Sequence, residues 1–215
     1  MPVRFSEVCP TGAGRHRGPG RPGRAGQWRG GHALRRSAAR PGDTVAILGL
    51  GGLGHLGVQF ARAMGFRTVA IARGQEKKEL AHRLGAAHCI DSTEGDVAGR
   101  LQALGAAKVV LATVTDAGAM SVTVDGLGRR GELVIVGVSP DQLQVSGLQL
   151  MNGDRRISAH FPVPALDTQD TLRFAAQTGG VRAWTEEMRL EDTAAAVERM
   201  VSDKPRFRMV LTTGH

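Results

Sequence analysis

"VAILGLGGLGHLGVQFARAMGF", Val45 to Phe66, is the stretch whose reading decides the fold. Its start, with Thr44 in front, is a short unbroken apolar run, "TVAILG", that ends on glycine. Such a run reads as a strand buried on both faces. The residues from Gly52 to Gly65 carry apolar side chains at helical spacing, and Gly65 supplies a stop. Between strand and helix, Gly49, Gly51 and Gly54 stand in the order G-x-G-x-x-G. In that order the first glycine permits a tight turn, the second lets backbone approach a pyrophosphate, and the third allows close packing of helix on strand. Peptide N–H groups at the helix start, aided by the helix dipole, then face the diphosphate. Glycine-rich turns also arise for purely structural reasons, so the motif alone is weak. Here it follows a strand, opens a helix and begins a series of similar units, and it reads as a dinucleotide cradle.

Working outward, the same rhythm continues. A strand is expected over Arg67 to Ala72, and a helix over Gln75 to Leu84 that stops at Gly85. Further strands are expected at Ala87 to Ile90, Lys108 to Thr113, Gly131 to Gly137 and Arg155 to His160. Helices at Asp96 to Leu104, Ala117 to Leu127 and Ser146 to Asn152 separate them. Strands that alternate with helices and lack hairpin turns predict an α/β fold, a Rossmann-type doubly wound parallel sheet. After His160 the pattern changes. "FPVPALDTQD" leads into a capped helix over Asp167 to Gln177, then a strand-like "EEMRL", a helix over Leu190 to Ser202 and a last strand "RFRMVLTT". This segment reads either as a small second lobe or as an appendage on the sheet. The expected division is a leader over 1–32, a dinucleotide-binding domain over 33–160 and a C-terminal segment over 161–215.

Charge separates the leader from the rest. The 215-residue chain has a formal charge of +8. Residues 1–40 hold nine arginines against one acid, Glu7, while the remainder balances to zero. "GAGRHRGPGRPGRAGQWRGG", Gly12 to Gly31, is dense in helix and strand breakers and is expected to be disordered. It lacks the apolar stretch of a secretory signal. Apolar runs elsewhere are interrupted by glycine, histidine and charge, so no membrane span is expected. Cys9 and Cys89 make neither a disulfide framework nor a zinc cluster. A reduced, cytoplasmic setting follows.

The choice of dinucleotide turns on the end of the second strand, where an acid would bind the ribose 2′-hydroxyl of NAD. Here the sequence is "AIARGQEKK": Ala72 takes that place, with Arg73, Lys77 and Lys78 following. Cations there suit a 2′-phosphate and favour NADP, with NAD still possible; they also suit a solvated helix start. His55, inside the glycine turn, reads as a phosphate neighbour or as a surface or packing residue. His82, His88 and His160 show no metal-ligand spacing with one another or with Cys89, which reads as a buried strand residue. No Ser-His-acid or paired-carboxylate arrangement stands out.

Several stretches then carry a resemblance. "ALRRSAARPGDTVAILGLGGLGHLGVQFARAMGFRTVAIAR", "LGAAHCIDS", "DGLGRRGELVIVGV", "DTLRFAAQTGGVR" and "KPRFRMVLTTG" fall in order from Ala33 toward the C-terminus. They resemble the zinc-dependent alcohol dehydrogenases of the medium-chain dehydrogenase/reductase superfamily. The resemblance implies that Gly49, Gly51, Gly52, Leu53 and Gly54 lie under the pyrophosphate, with Arg73 and Lys77 beside the adenosine ribose. It implies Thr113 beside the cofactor, Gly137 and Val138 offering backbone to the nicotinamide, and Arg208 contacting the pyrophosphate. It also implies hydride transfer between NADP(H) and an alcohol/aldehyde pair, and pairing of two copies along the sheet edge at "GELVIVG" and "RRISAH".

The resemblance further implies a zinc-bearing catalytic domain ahead of Ala33. In the zinc enzymes the metal acts as a Lewis acid on the alcohol oxygen. Eight residues before Ala33 stands Ala25, which cannot ligate a metal, and Cys9 has no matching context. The expectation is therefore a truncated or frame-shifted product that keeps the dinucleotide-binding part and, alone, is inactive. Three alternatives stand beside it: a non-catalytic NADP(H)-binding module, a zinc-free quinone reductase relative, and a nucleic-acid-binding role for the Arg/Gly leader with Trp28 stacking on a base.

Overall fold

The computed structural model describes residues 29–160, 165–202 and 207–213. Cys9, Ala25, Trp28 and the whole "FPVP" stretch lie outside them. Six parallel strands form the central sheet: β1 (Thr44–Leu48), β2 (Arg67–Ala72), β3 (His88–Asp91), β4 (Ala107–Ala112), β5 (Leu127–Ile135) and β6 (Arg156–Ala159). Their spatial order is β3-β2-β1-β4-β5-β6. The chain therefore builds outward from β1 on one side, then crosses to β4 and builds outward on the other. That reversal places a crevice at the carboxyl ends of β1 and β4, where open α/β sheets bind ligands.

Alternation along the strands feeds two cores. Val45 and Ile47, Ala70 and Ala72, and Val109 and Leu111 face one side, where they meet Leu56, Val58 and Phe60. Ala46 and Leu48, Val69 and Ile71, and Val110 and Ala112 face the other, against Val97, Leu101 and Met120. Period-two alternation with both faces apolar is the signature of a sheet covered on both sides. The helices are α1 (Arg29–Arg36), α2 (Gly54–Ala63), α3 (Glu76–Leu84), α4 (Val97–Ala103), α5 (Ala117–Ser121) and α6 (Gly147–Met151). Four more elements follow: α7 (Ala165–Thr178), β7 (Glu186–Arg189), α8 (Thr193–Val201) and β8 (Met209–Thr212).

Local chemistry explains the boundaries. Gly85 ends α3 at φ 104°, and Gly65 follows α2 at φ 79°, conformations that glycine adopts without a Cβ penalty. Asp96, Asp116 and Ser146 cap α4, α5 and α6 through their side-chain oxygens. The helix expected over Ala117 to Leu127 stops at Ser121. The run Val122-Thr123-Val124 is β-branched and passes into a 3₁₀ turn over Val124–Gly126. Strand β5 begins at Leu127, ahead of the expected Gly131. A register shift against β4 follows, and Arg130 adopts φ 54°.

The leader differs from its sequence reading at its end. Arg29 to Gly31 belong to α1 and are not unstructured there. Ala33 and Leu34 are buried, and Gly30 and Gly31 pack closely on α2 and β4. The C-terminal segment is not an added strand of the main sheet: β7 and β8 pair in parallel with each other as a separate two-stranded sheet. Ala175 and Val181 nevertheless share the core of β1 and α2.

Candidate functional site

The glycine turn sits at the carboxyl end of β1, in the crevice between β1 and β4. Gly49 has φ 95°, and a Cβ on it would lie 2.6 Å from Val114 Cγ1. A Cβ on Gly54 would overlap the carbonyl oxygen of Gly49 and lie 3.0 Å from Thr113 Oγ1. These two positions are glycine because the turn closes on itself. Gly51 is different: it is exposed, and nothing lies within 4 Å of the Cβ it lacks. Open space therefore stands over the middle glycine, where backbone can meet a ligand.

Beyond the turn, α2 begins with no side-chain cap at Leu53 and no acid in its first turn. The first N–H groups of a helix have no intrahelical partner and carry its positive dipole end. Leu53 itself turns its side chain toward the core. The Thr113 hydroxyl, just past β4, donates to Leu48 O at 2.8 Å and approaches Gly49 O at 3.3 Å. Thr113 thus ties the ends of β1 and β4 together beneath the turn. Gly137 is packed so that a Cβ would overlap Val114 O, and its N–H donates to Ala112 O at 3.1 Å. Val138, next to it, is exposed.

Arg208 reaches the turn from the far end of the chain. A Cβ on Gly52 would lie 2.9 Å from Arg208 Nε and 3.1 Å from Phe207 O. The guanidinium therefore lies against the Gly52 peptide. Gly49, Gly51, Gly52, Leu53, Gly54, Thr113 and Arg208 come together, and Gly137 and Val138 flank them beyond β4.

His55 is a packing residue. It is fully buried in α2, its ring stacks on Phe207 with centroids 4.3 Å apart, and its Nε2 accepts the Trp184 N–H at 3.2 Å. With Nε2 an acceptor, Nδ1 carries the proton and donates to Gly51 O at 3.1 Å. Burial pulls the His55 pKa down to about 4; the Arg208 charge lowers it further, while the Gly51 carbonyl opposes the shift. Gln59, one turn on, accepts from Arg182 N and donates to Arg182 O, both at 2.9 Å. Through these bonds the helix of the glycine turn is pinned to the C-terminal segment. Packing was one of the roles the sequence allowed His55, but these partners were not legible, since the contacts join residues more than a hundred positions apart.

At the other rim, Arg73 and Lys77 follow β2. Arg73 Nη2 pairs with Asp116 Oδ2 at 2.9 Å, and both side chains are well exposed. Lys77 is half-buried in the first turn of α3. The Asp91 carboxylate, opposite Ala72, accepts from Thr93 N, Thr93 Oγ1 and Gly74 N, and these bonds hold it below the usual carboxylate range. Asp91 braces the loop that carries Arg73. The sequence signal that could have found Asp116 is its place directly before α5, where an aspartate acts as helix cap.

The zinc-binding dehydrogenase profile matches residues 52–177, and the chain belongs to that family. It is 40% identical over 183 residues to the alcohol dehydrogenase notN of Aspergillus sp. (strain MF297-2), covering 84% of this chain and 53% of that protein. An alcohol dehydrogenase of Geobacillus stearothermophilus is 33% identical over 180 residues, with 83% and 53% covered. Among solved structures, the alcohol dehydrogenase of Aeropyrum pernix superposes with a TM-score of 0.77 at 27% identity, over 87% of this chain and 54% of that one. The chain spans about half the length of the curated relatives it matches.

The family name raises the question of zinc. Among the described residues no group of three or more His, Cys, Asp or Glu side chains stands where it could hold a metal ion. Burial, with the nearby Asp91 charge, pushes the Cys89 thiol up, away from the thiolate a metal requires. His82 bonds to Ala86 O and His88 to Arg67. The described residues do not fit a zinc centre. They do fit a dinucleotide, because the turn closes tightly at Gly49 and Gly54 and stands open at Gly51. No described helix is long and apolar enough to cross a membrane.

Proposed function

We propose that this chain binds NADP(H) as the dinucleotide-holding part of an alcohol dehydrogenase, for hydride transfer between an alcohol and its carbonyl. The observation that carries the reading is the glycine turn at the switch point of the sheet, open over Gly51 and closed at Gly49 and Gly54. The nicotinamide ring supplies the hydride when bound; the protein supplies binding and orientation. N–H groups of Gly52, Leu53 and Gly54 and the Arg208 guanidinium meet the two phosphates. Arg73 and Lys77 take the 2′-phosphate of the adenosine ribose, in the absence of an acid at Ala72. Thr113 keeps β1 and β4 at fixed separation, and Gly137 and Val138 present backbone to the nicotinamide.

The described residues that line this crevice bind and orient; none forms a proton-relay pair or a metal centre beside it. The alcohol and its proton therefore meet groups other than these. Pairing of two copies along β6 belongs to the same reading, supported by the exposed Val138, Leu148 and Met151 near that edge.

Amide hydrogen exchange with and without NADPH tests the binding geometry. Protection should appear at Gly49 to Leu56 and at Arg73 to Lys77. Unchanged exchange there under saturating NADPH would overturn the reading.

A further inference from the structure

The rim of the crevice carries a charge arrangement that the binding reading does not by itself require. Arg73 leaves the carboxyl end of β2, and Asp116 stands four residues past β4. Strand β1 runs between them in the sheet, so their 2.9 Å ion pair crosses above the end of β1 and the glycine turn. Asp116 uses its two oxygens differently. Oδ1 accepts the Ala119 N–H at 2.9 Å and caps α5, while Oδ2 takes Arg73. The cap fixes the carboxylate in place, and the fixed carboxylate then fixes the flexible arginine.

We propose that Asp116 is a specificity-determining residue for the dinucleotide, restraining Arg73 across the crevice and opposing a 2′-phosphate. This rests on the NADP(H) reading given above. A phosphate arriving at Arg73 has to draw the guanidinium from a carboxylate that already occupies one of its donors. It also approaches a fixed negative charge of its own sign. A ribose bearing only hydroxyls meets neither cost, because it adds no charge. Asp116 therefore lowers the advantage that Arg73 gives NADP over NAD.

Asp116→Asn isolates the charge, since asparagine caps helices as well as aspartate does. Titration of the full chain with NADPH and NADH should show NADPH binding tighter by about two- to fivefold, the range of an exposed ion pair. NADH affinity should be unchanged. The gain should shrink in high salt and vanish in the Arg73→Gln background, where the restrained partner is gone. Equal effects on both dinucleotides, no effect on either, or a full effect persisting without Arg73 would each overturn the role of Asp116. If the unaltered chain binds neither dinucleotide, the binding reading itself fails. Far-ultraviolet circular dichroism melts of each variant separate a lost fold from a changed preference.

Discussion

His55 shows how one side chain can couple distant parts of the fold. Its ring gives a proton to Gly51 O and takes one from Trp184 N–H, an arrangement open only to the neutral imidazole. The consequence for pH follows from its pKa of about 4 in the folded chain against 6.5 in the unfolded one. Above pH 6.5 both states are neutral and the full stability is present. Between 6.5 and about 4 the unfolded chain takes up a proton that the folded chain refuses, so stability falls as pH falls. The loss amounts to about 3 kcal/mol, and below pH 4 this group adds no more. Urea melts across that range should show the stability gap between the wild type and His55→Asn narrowing as the pH drops; a pH-independent gap would contradict the assignment.

Gly54 makes the second prediction at this scale. Any Cβ there meets the Gly49 carbonyl, so Gly54→Val should abolish NADPH binding, measured by quenching or transfer of fluorescence. Retained binding in a folded variant would show that the turn is not the cradle. Gly54 was legible from spacing alone, since the motif names it. The partners of His55 in the C-terminal segment were not, because no local pattern points to them.

Among the elements, α1 is the one that composition hides. Its stretch is rich in arginine and glycine, a mixture that argues against a helix, and yet Arg29–Arg36 forms one. Packing decides the matter. Gly30 and Gly31 let the helix lie close on α2 and β4, and a Cβ on Gly31 would come within 2.7 Å of the buried Phe60 ring. Gly31→Ala is therefore an informative substitution. In a free helix the change gains about 1 kcal/mol of propensity; here crowding of Phe60 should cost about 1–3 kcal/mol. The melting temperature should fall, and a rise would mean that α1 does not sit on Phe60. Strand β2 lay open to reading because Val69 to Ala72 form an apolar run that a glycine turn follows. Strand β5 did so only from Gly131 onward, because its first half passes through the irregular Gly128 to Gly131 before the continuous ladder with β4 begins.

For the whole molecule, the doubly wound parallel sheet and its two cores follow from short apolar strand runs alternating with helices along the chain. The placement of the C-terminal segment does not. Its helix α7 sends Ala175 into the core of β1 and α2, while Trp184, ahead of β7, and Phe207, ahead of β8, meet the His55 ring from two separate loops. The glycine turn is thus held from both sides, by β4 through Thr113 and by the C-terminal segment through His55 and Arg208. Near the C-terminus Leu190, Val197 and Met200 remain exposed, an apolar strip on and just ahead of α8.

In the proposed function this arrangement holds a dinucleotide and prefers the one with a 2′-phosphate. Calorimetric titration of the full chain with NADPH and, separately, with NADH tests it most directly. Saturable binding of both, tighter for NADPH and weakened selectively for NADPH by Arg73→Gln, is the predicted result. Absence of binding by either, or a preference for NADH that Arg73→Gln leaves untouched, would contradict it.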